Sequence, residues 1–437
     1  MIKNAFLVAV LLLSTTLQSQ SFFGSQYDNY AGIYSVMNNP ANIADSRFKS
    51  DINIVSGSFF AGSDYYAVKI GDLLSNSDFE AYAKKTPSDN NNLYTNVDFL
   101  GPSFLLNIDD NSTFGFFTRA RGIGHASEIN GLFLEKIQED IEEDIDIQNQ
   151  NFSIATNSWF EVGLSYARIL FNNERHFIKG GVSVKYIGGL YSGYIKARNL
   201  SITYDYTGLE LTNTTTTSGE IETGNISSLE NFDDPIDNRG SGFGTDIGFT
   251  YELRTNESNA NSSNAYNKYL VKFGVSVTDI GNIKFKEGEK VVYEADASYT
   301  DAEYAINDDF DSYYTRISES KSFNVSLPTA LHFNADWNAY EKFYLNVNTD
   351  LNMNKETKPN SNYIKNTFSM TPRYESRWFS IYLPFSVVED SGFLSGFGFR
   401  AGPITLGSGS LFNGLFGYSN AVDVHLGIKI PLYHTDK

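Results

Sequence analysis

The chain has a two-residue period. From Val422 to Leu432, the residues Val422, Val424, Leu426, Ile428, Ile430 and Leu432 alternate with Asp423, His425, Gly427 and Lys429. Strand side chains point alternately to two faces, so this segment reads as a strand with one apolar and one wet face. The pattern recurs. Phe160, Val162, Leu164 and Tyr166 oppose Glu161, Gly163 and Ser165, with Arg168 assigned to the same polar face, and Val182 and Val184 oppose Lys179, Ser183 and Lys185. Ile247, Phe249, Tyr251 and Leu253 alternate with Gly248, Thr250, Glu252 and Arg254, and further examples run through Val271–Val277, Phe343–Met353, Phe379–Val387 and Phe397–Arg400. One such segment is weak evidence, but their recurrence predicts an all-β chain. The expected architecture is a single closed antiparallel transmembrane β-barrel of about 14 strands with long polar loops, since closure satisfies every backbone hydrogen bond in lipid. A soluble all-β adhesin is the rival fold, because antiparallel sheets with one solvated face alternate in the same way.

The N-terminus favours the barrel. Lys3, the apolar run Ala5–Leu13 and the polar stretch Thr15–Ser19 read as a secretory leader over residues 1–19, cleaved before Gln20. The apolar run falls short of the ~20 residues that a membrane-spanning helix needs. The sequence holds no cysteine, hence neither a disulfide framework nor a lipid-attachment cysteine. An exported chain of 437 residues without disulfides is then held together by closed strand pairing. Residues 20–50 are expected to form an N-terminal hatch-like segment, and residues 51–437 the barrel.

Charge and composition exclude some functions. The formal net charge of −19 argues against a nucleic-acid partner, whose phosphates need a basic footprint. The mean hydropathy of −0.30 and the lack of a later uncharged apolar run exclude a helical membrane protein. The 28 Tyr and 34 Phe suit strands and interfacial girdles.

Between the strands lie the polar insertions Thr212–Thr217, Asn256–Asn267 and Tyr293–Tyr313, read as outward-facing loops. Leu132–Ile147 is the one helical candidate, with Ile137, Ile141 and Ile145 at four-residue spacing. Little points to chemistry. The five histidines occupy no metal-ligand spacing, and the acidic stretches around Asp233 and Asp308 lack the central Gly and terminal Glu of a calcium loop. No metal, cofactor or catalytic residue is assigned and no enzyme activity is expected, although a catalytic triad assembles in space and is invisible to a linear search.

One motif narrows the family. Asn39-Pro40-Ala41, ahead of the first alternating strand, resembles the NPA signature of the FadL-like outer-membrane transport barrels. WFEVGLSYARIL, FIKGGVSVKYIGG, GTDIGFTYEL and KFGVSVTDIGNIKF resemble exported barrels of unknown function related to that superfamily and to PorV-like secretion barrels. The resemblance implies an N-terminal hatch carrying Asn39, Pro40 and Ala41, an outer-membrane location among lipid, and a hydrophobic ligand. A Pro-initiated turn before a strand is the alternative reading of the same three residues.

The lumen assigned by alternation carries Glu161, Arg168, Lys185, Glu252, Arg254, Lys272, Asp336, Asp350, Arg373 and Arg400. Unpaired charges in a sealed apolar tunnel would cost several kcal/mol each, so a greasy channel along the axis is not expected. Two functions stand: passive transport or binding of a small hydrophobic molecule, or a non-transporting scaffold whose loops hold a protein of a secretion or surface complex.

Overall fold

A computed structural model describes residues 24–75, 81–138, 142–209, 211–225, 240–254, 267–286, 288–307, 310–355 and 360–434. The leader expected over residues 1–19 and the acidic stretch Asp233–Asp237 lie outside them. The rest is a closed antiparallel barrel of fourteen wall strands. These are β1 (Phe48–Ser63), β2 (Asn91–Leu100 with Ser103–Asn107), β3 (Ser112–Ile129), β4 (Ser153–Asn172) and β5 (His176–Asp205). They continue as β6 (Gly240–Arg254), β7 (Tyr269–Phe285), β8 (Phe323–Ser326 with Ala330–Tyr340), β9 (Phe343–Asn352) and β10 (Thr367–Glu375). The last are β11 (Phe379–Tyr382 with Phe385–Val388), β12 (Gly392–Ser395 with Phe397–Ala401), β13 (Ile404–Ser408) and β14 (Ala421–Tyr433). Each pairs with the next, and β14 closes on β1 through Ile52↔Ile430 and its neighbours. The breaks in β2, β8 and β11 fall at Pro102, Pro328 and Pro384, where the missing N–H interrupts the ladder.

Alternation places side chains as a barrel in lipid requires. Val182 and Val184 are exposed outside while Ser183 and Lys185 are buried inside, and Phe249, Phe273 and Val275 belong to the outer apolar band. Arg168 corrects the lumen assignment. It sits an even number of residues from Val162, Leu164 and Tyr166, so it shares their outward face and is exposed, whereas Glu161 is buried.

The two ends of the barrel differ. Phe48, Tyr433 and the short turns 108–111, 173–175 and 341–342 lie at one end, which we call the terminal end. Long connections lie at the other, the loop end. Except for Asn267, the Asn256–Asn267 insertion is outside the described residues, and it joins strand ends at the terminal end, where Arg254 pairs with Tyr269 and its N–H donates to Arg175. The strand ends it joins are thus at the opposite end from the other two insertions.

Two insertions expected as loops are structured. Thr214–Asn225 is a strand between the outer half of β5 and the strands Glu289–Glu294 and Ala297–Thr300, as its β-branched threonines favour. In Tyr293–Tyr313 the helix Asp301–Ile306 is nucleated by a Thr300/Glu303 capping box. With Ile145–Gln150 and Thr315–Ser320, these strands build a sheet that extends from the wall at the loop end. The helical candidate is shorter than expected: Gly131–Gln138 is helical, but Ile145 already pairs with Tyr204 in that sheet.

Candidate functional site

The lumen is filled in three layers. At the loop end, Phe60, Trp159, Ile187, Ile283, Phe285, Leu327, Tyr363 and Leu394 from around the wall form one buried apolar cluster. Below it runs a belt of charge, in which Arg119 pairs with Asp98, Arg121 with Glu161 at 3.3 Å and Asp279 at 2.6 Å, and Lys185 with Asp279 and, at 2.8 Å, Asp246. Pairing is what makes such burial tolerable, because each isolated ion would carry a desolvation penalty of several kcal/mol. The third layer is the N-terminal segment itself.

Residues 24–47 enter the barrel as three short 3-10 helices, Ser25–Tyr27, Gly32–Met37 and Pro40–Ile43. Ile33, Tyr34, Val36, Ile43 and Ala44 pack against Leu100, Leu105, Phe117 and Ala167 of the wall. The remaining contacts are polar and come from many strands. Asp28 meets Arg400 at 3.1 Å, and Asn29 donates to Glu375 and Tyr269 and accepts from Lys272. Ile33 N–H donates to Asp51, Lys429 Nζ donates to the Ala31 carbonyl at 3.0 Å, and Lys179 Nζ donates to the Ala44 carbonyl at 2.9 Å. Asp45 meets Arg47 and Arg254, and Arg254 also holds Glu252 at 2.8 Å. Burial pushes the Asp45 carboxyl up, but Arg47, Lys179 and Arg254 outweigh it and bring it down to about 2. Asp28 behaves alike: Arg400 holds it below the usual carboxylate range against burial.

Asn39, Pro40 and Ala41 occupy a recess of their own. Asn39 caps the third turn, its Oδ1 accepting from Ala41 N–H at 2.9 Å, while Pro40 takes the first helical position, where no N–H is needed. The Asn39 amide donates outward to the wall carbonyls of Phe249 at 3.1 Å and Val275 at 3.4 Å. Three glycines on adjacent strands make room. A Cβ on Gly181 would lie 2.5 Å from Ala41 N and from Pro40 C, one on Gly248 would lie 2.1 Å from Asn39 Oδ1, and one on Gly274 would lie 3.3 Å from Asn39 Nδ2.

On the lipid side of the same patch, Ile178, Phe249, Phe273, Val275, Phe333 and Val347 line an apolar groove of about 420 Å³ that reaches down to Gly274. Thr250, Gly274 and Asn334 border both this groove and a small polar gap beside Asn39. The ladder Thr250↔Gly274↔Asn334 is continuous, so the wall is thin here but closed.

Of the other lumen candidates, Glu161 and Lys185 lie in the charged belt, and Glu252 and Arg254 bind the N-terminal segment through Asp45 and Lys179. Lys272, Asp336 and Arg373 gather beside Asn29, with Arg373 bidentate to Asp336 at 2.7 and 2.8 Å. Arg400 holds Asp28, and Asp350 pairs with His332. Sequence reasoning missed Asp98, Arg119, Arg121 and Asp279. Arg119 and Arg121 were legible, as they alternate with Phe116, Thr118 and Ala120. Asp279 was not, because a bulge there, at φ +58°, shifts the alternation by one. Among the described residues no group of three or more His, Cys, Asp or Glu is placed to hold a metal ion.

A closed barrel with an outer apolar band and its own N-terminal segment packed in the lumen defines an integral β-barrel of the bacterial outer-membrane type. The chain belongs to the family of unknown function DUF5723, whose model matches residues 40–409, beginning at Pro40 of the docked triplet. No curated sequence matches it. Solved structures similar to it include a FadL homologue of Pseudomonas aeruginosa, with 10% identity, 94% of this chain and 96% of that one covered and a TM-score of 0.33. The CymD monoaromatic hydrocarbon channel is 7% identical, with coverages of 93% and 94% and a TM-score of 0.37. The translocator domain of the autotransporter NalP from Neisseria meningitidis is 6% identical, with coverages of 89% and 88% and a TM-score of 0.33.

Proposed function

We propose that the protein is a passive outer-membrane barrel that binds, and passes through its wall, a small hydrophobic molecule taken up from the bilayer, with residues 24–47 acting as the hatch. One observation carries this reading: the apolar groove outside and the Asn39 recess inside meet at the same thin patch of wall, at Gly274. The filled lumen disfavours an axial route, and a lateral one keeps an apolar solute out of water. Protein purified from native membranes should carry a hydrocarbon-soluble ligand detectable by mass spectrometry, and Val275→Trp, which adds bulk on the outer face within the groove, should lose it. Identical extracts from the two proteins would sink the reading.

A second reading rests on the loop-end sheet. Its outermost strand, Thr315–Ser320, is exposed along its whole length, which offers a free edge to a protein of a secretion or surface complex. Crosslinking from this strand in intact cells should capture one recurrent protein. Recovery of the barrel alone contradicts it.

A further inference from the structure

Three side chains on adjacent strands line up across the lumen face of the wall. Thr278 on β7, His332 on β8 and Asp350 on β9 are linked in sequence: Thr278 Oγ1 lies 2.8 Å from His332 Nε2, and His332 Nδ1 lies 2.5 Å from Asp350 Oδ1. The other carboxylate oxygen accepts from Asn348 Nδ2 at 2.8 Å, which fixes the carboxylate in place. An ionised Asp only accepts, so Nδ1 carries the proton and Nε2 is left to receive the Thr278 hydroxyl hydrogen. Hydroxyl, imidazole and carboxylate in this order are the arrangement that activates a weak nucleophile.

Two features separate the trio from an ordinary polar ladder. First, it opens on space. Thr278, His332 and Asp350 share a chamber of about 80 Å³ with Asn96, Arg119 and Arg121 on the wall, Lys365 on the connection between β9 and β10, and Tyr27 and Asn38 on the N-terminal segment. The His332 and Asp350 side chains keep 13% and 18% of their exposure, whereas those of Arg373 and Asp336 keep none. Second, Thr278 stands beside a β-bulge. The β6–β7 register slips between Thr245↔Ile280 and Ile247↔Val277, so Thr278 stands at the bulge whose next residue, Asp279, has a positive φ. Bulges of this kind occur beside active sites, and this one turns Asp279 into the lumen next to Thr278. The chamber also holds a buried donor without a partner, Arg121 Nε, suited to a developing oxyanion.

We propose that Thr278, His332 and Asp350 form an acyl-transfer site for short-chain esters, an activity separate from ligand passage. Thr278 Oγ1 forms a bond to the ester carbonyl carbon as its proton passes to His332 Nε2, and the carbonyl π pair moves onto oxygen beside Arg121. Collapse breaks the bond to the alcohol, which leaves with the proton from His332. Water then repeats the path on the acyl-Thr278 ester, so that ester and water yield acid and alcohol. Asp350 is a positioning residue, acting through His332.

The test uses the full-length folded protein in detergent with p-nitrophenyl acetate, folding being confirmed by heat-modifiable migration. The expected result is a burst of nitrophenolate with one acetyl group mapped to Thr278. Thr278→Ala should abolish the adduct, and Thr278→Ser, lacking the hindering methyl, should form it faster. His332→Ala should slow acylation by about 100-fold or more. Asp350→Asn should slow it and Asp350→Glu restore it, a rescue that a purely structural carboxylate would not show in the rate. Gly181→Ala, which displaces the segment covering the chamber, should speed entry of the ester. Absence of acetyl on Thr278 in wild type, Thr278→Ser and Gly181→Ala alike overturns the proposal, as does acetyl on Thr278 that forms equally fast without His332.

Discussion

The side-chain amide of Asn39 donates to the main-chain carbonyl of Phe249 at 3.1 Å, joining residues 210 apart in sequence. The ring of Phe249 meanwhile points the other way, into the lipid-facing groove. One wall residue is thus held from inside by the N-terminal segment and lines the proposed ligand site outside. Asn39→Ala removes both wall hydrogen bonds and the cap of the third turn. At roughly 1 kcal/mol for each kind of contact, the segment should dock about 2 kcal/mol more weakly. Hydrogen exchange in residues 24–47 should then quicken by about 30-fold, while β3 and β4 keep wild-type protection.

Gly181 tests the recess from the wall side. A Cβ there falls 2.5 Å from Ala41 N and Pro40 C, both of them backbone atoms that cannot swing aside as a side-chain tip can. Gly181→Ala should therefore expel the NPA turn without unfolding the barrel, seen as new protease cleavage within residues 24–47 and unchanged heat-modifiable migration. Gly71→Ala, where nothing lies within 4 Å, is the control and should leave cleavage at the wild-type level.

These contacts also show where sequence reading succeeds and where it stops. Alternation is local, so the outward Val182 and Val184 and the inward Lys185 were readable two residues at a time. It fails wherever parity is misjudged or broken: Arg168 was assigned to the wrong face, and the bulge at Asp279 hides a lumen carboxylate. Thr212–Thr217 reads as loop because its polar threonines have no apolar partner face, yet pairing on both sides makes Thr214–Thr217 the start of a strand. The NPA triplet was visible, but its recess was not. Gly181, Gly248 and Gly274 are scattered over three strands and meet only once the barrel closes. The same holds for Thr278, His332 and Asp350.

Acid should loosen the segment. Docked, Asp45 titrates at about 2 against an ordinary 3.8, so the docked state binds fewer protons than the released one. A carboxylate lowered in this way contributes its stabilisation fully above its ordinary value and loses it as pH falls from about 4 to about 2. Asp28, also lowered, works in the same direction. Exchange protection of residues 24–47, corrected for intrinsic rates, should be flat from pH 7 to about 5 and fall below about 4, and Asp45→Asn should flatten much of that fall.

The charged belt should be costly to break and cheaper to replace. Lys185→Met leaves Asp246 and Asp279 short of a cation in the barrel interior. Removing one partner of a buried pair typically costs about 3–5 kcal/mol, and replacing the partners together is far milder. Urea unfolding in lipid should show a drop of that order for Lys185→Met, and recovery of much of it when Asp246→Leu is added.

The central claim, that the NPA turn is docked against the wall inside the barrel, is tested most directly by a disulfide trap, for which the cysteine-free sequence is a clean background. A Cβ on Gly248 lies 2.8 Å from Asn39 Cγ, so Asn39→Cys combined with Gly248→Cys brings two thiols within bonding reach. Oxidation of the folded barrel in membranes should crosslink this pair nearly completely, while Asn39→Cys combined with Gly402→Cys, in a turn at the terminal end, stays reduced. Equal crosslinking of both pairs, or of neither, would contradict the account.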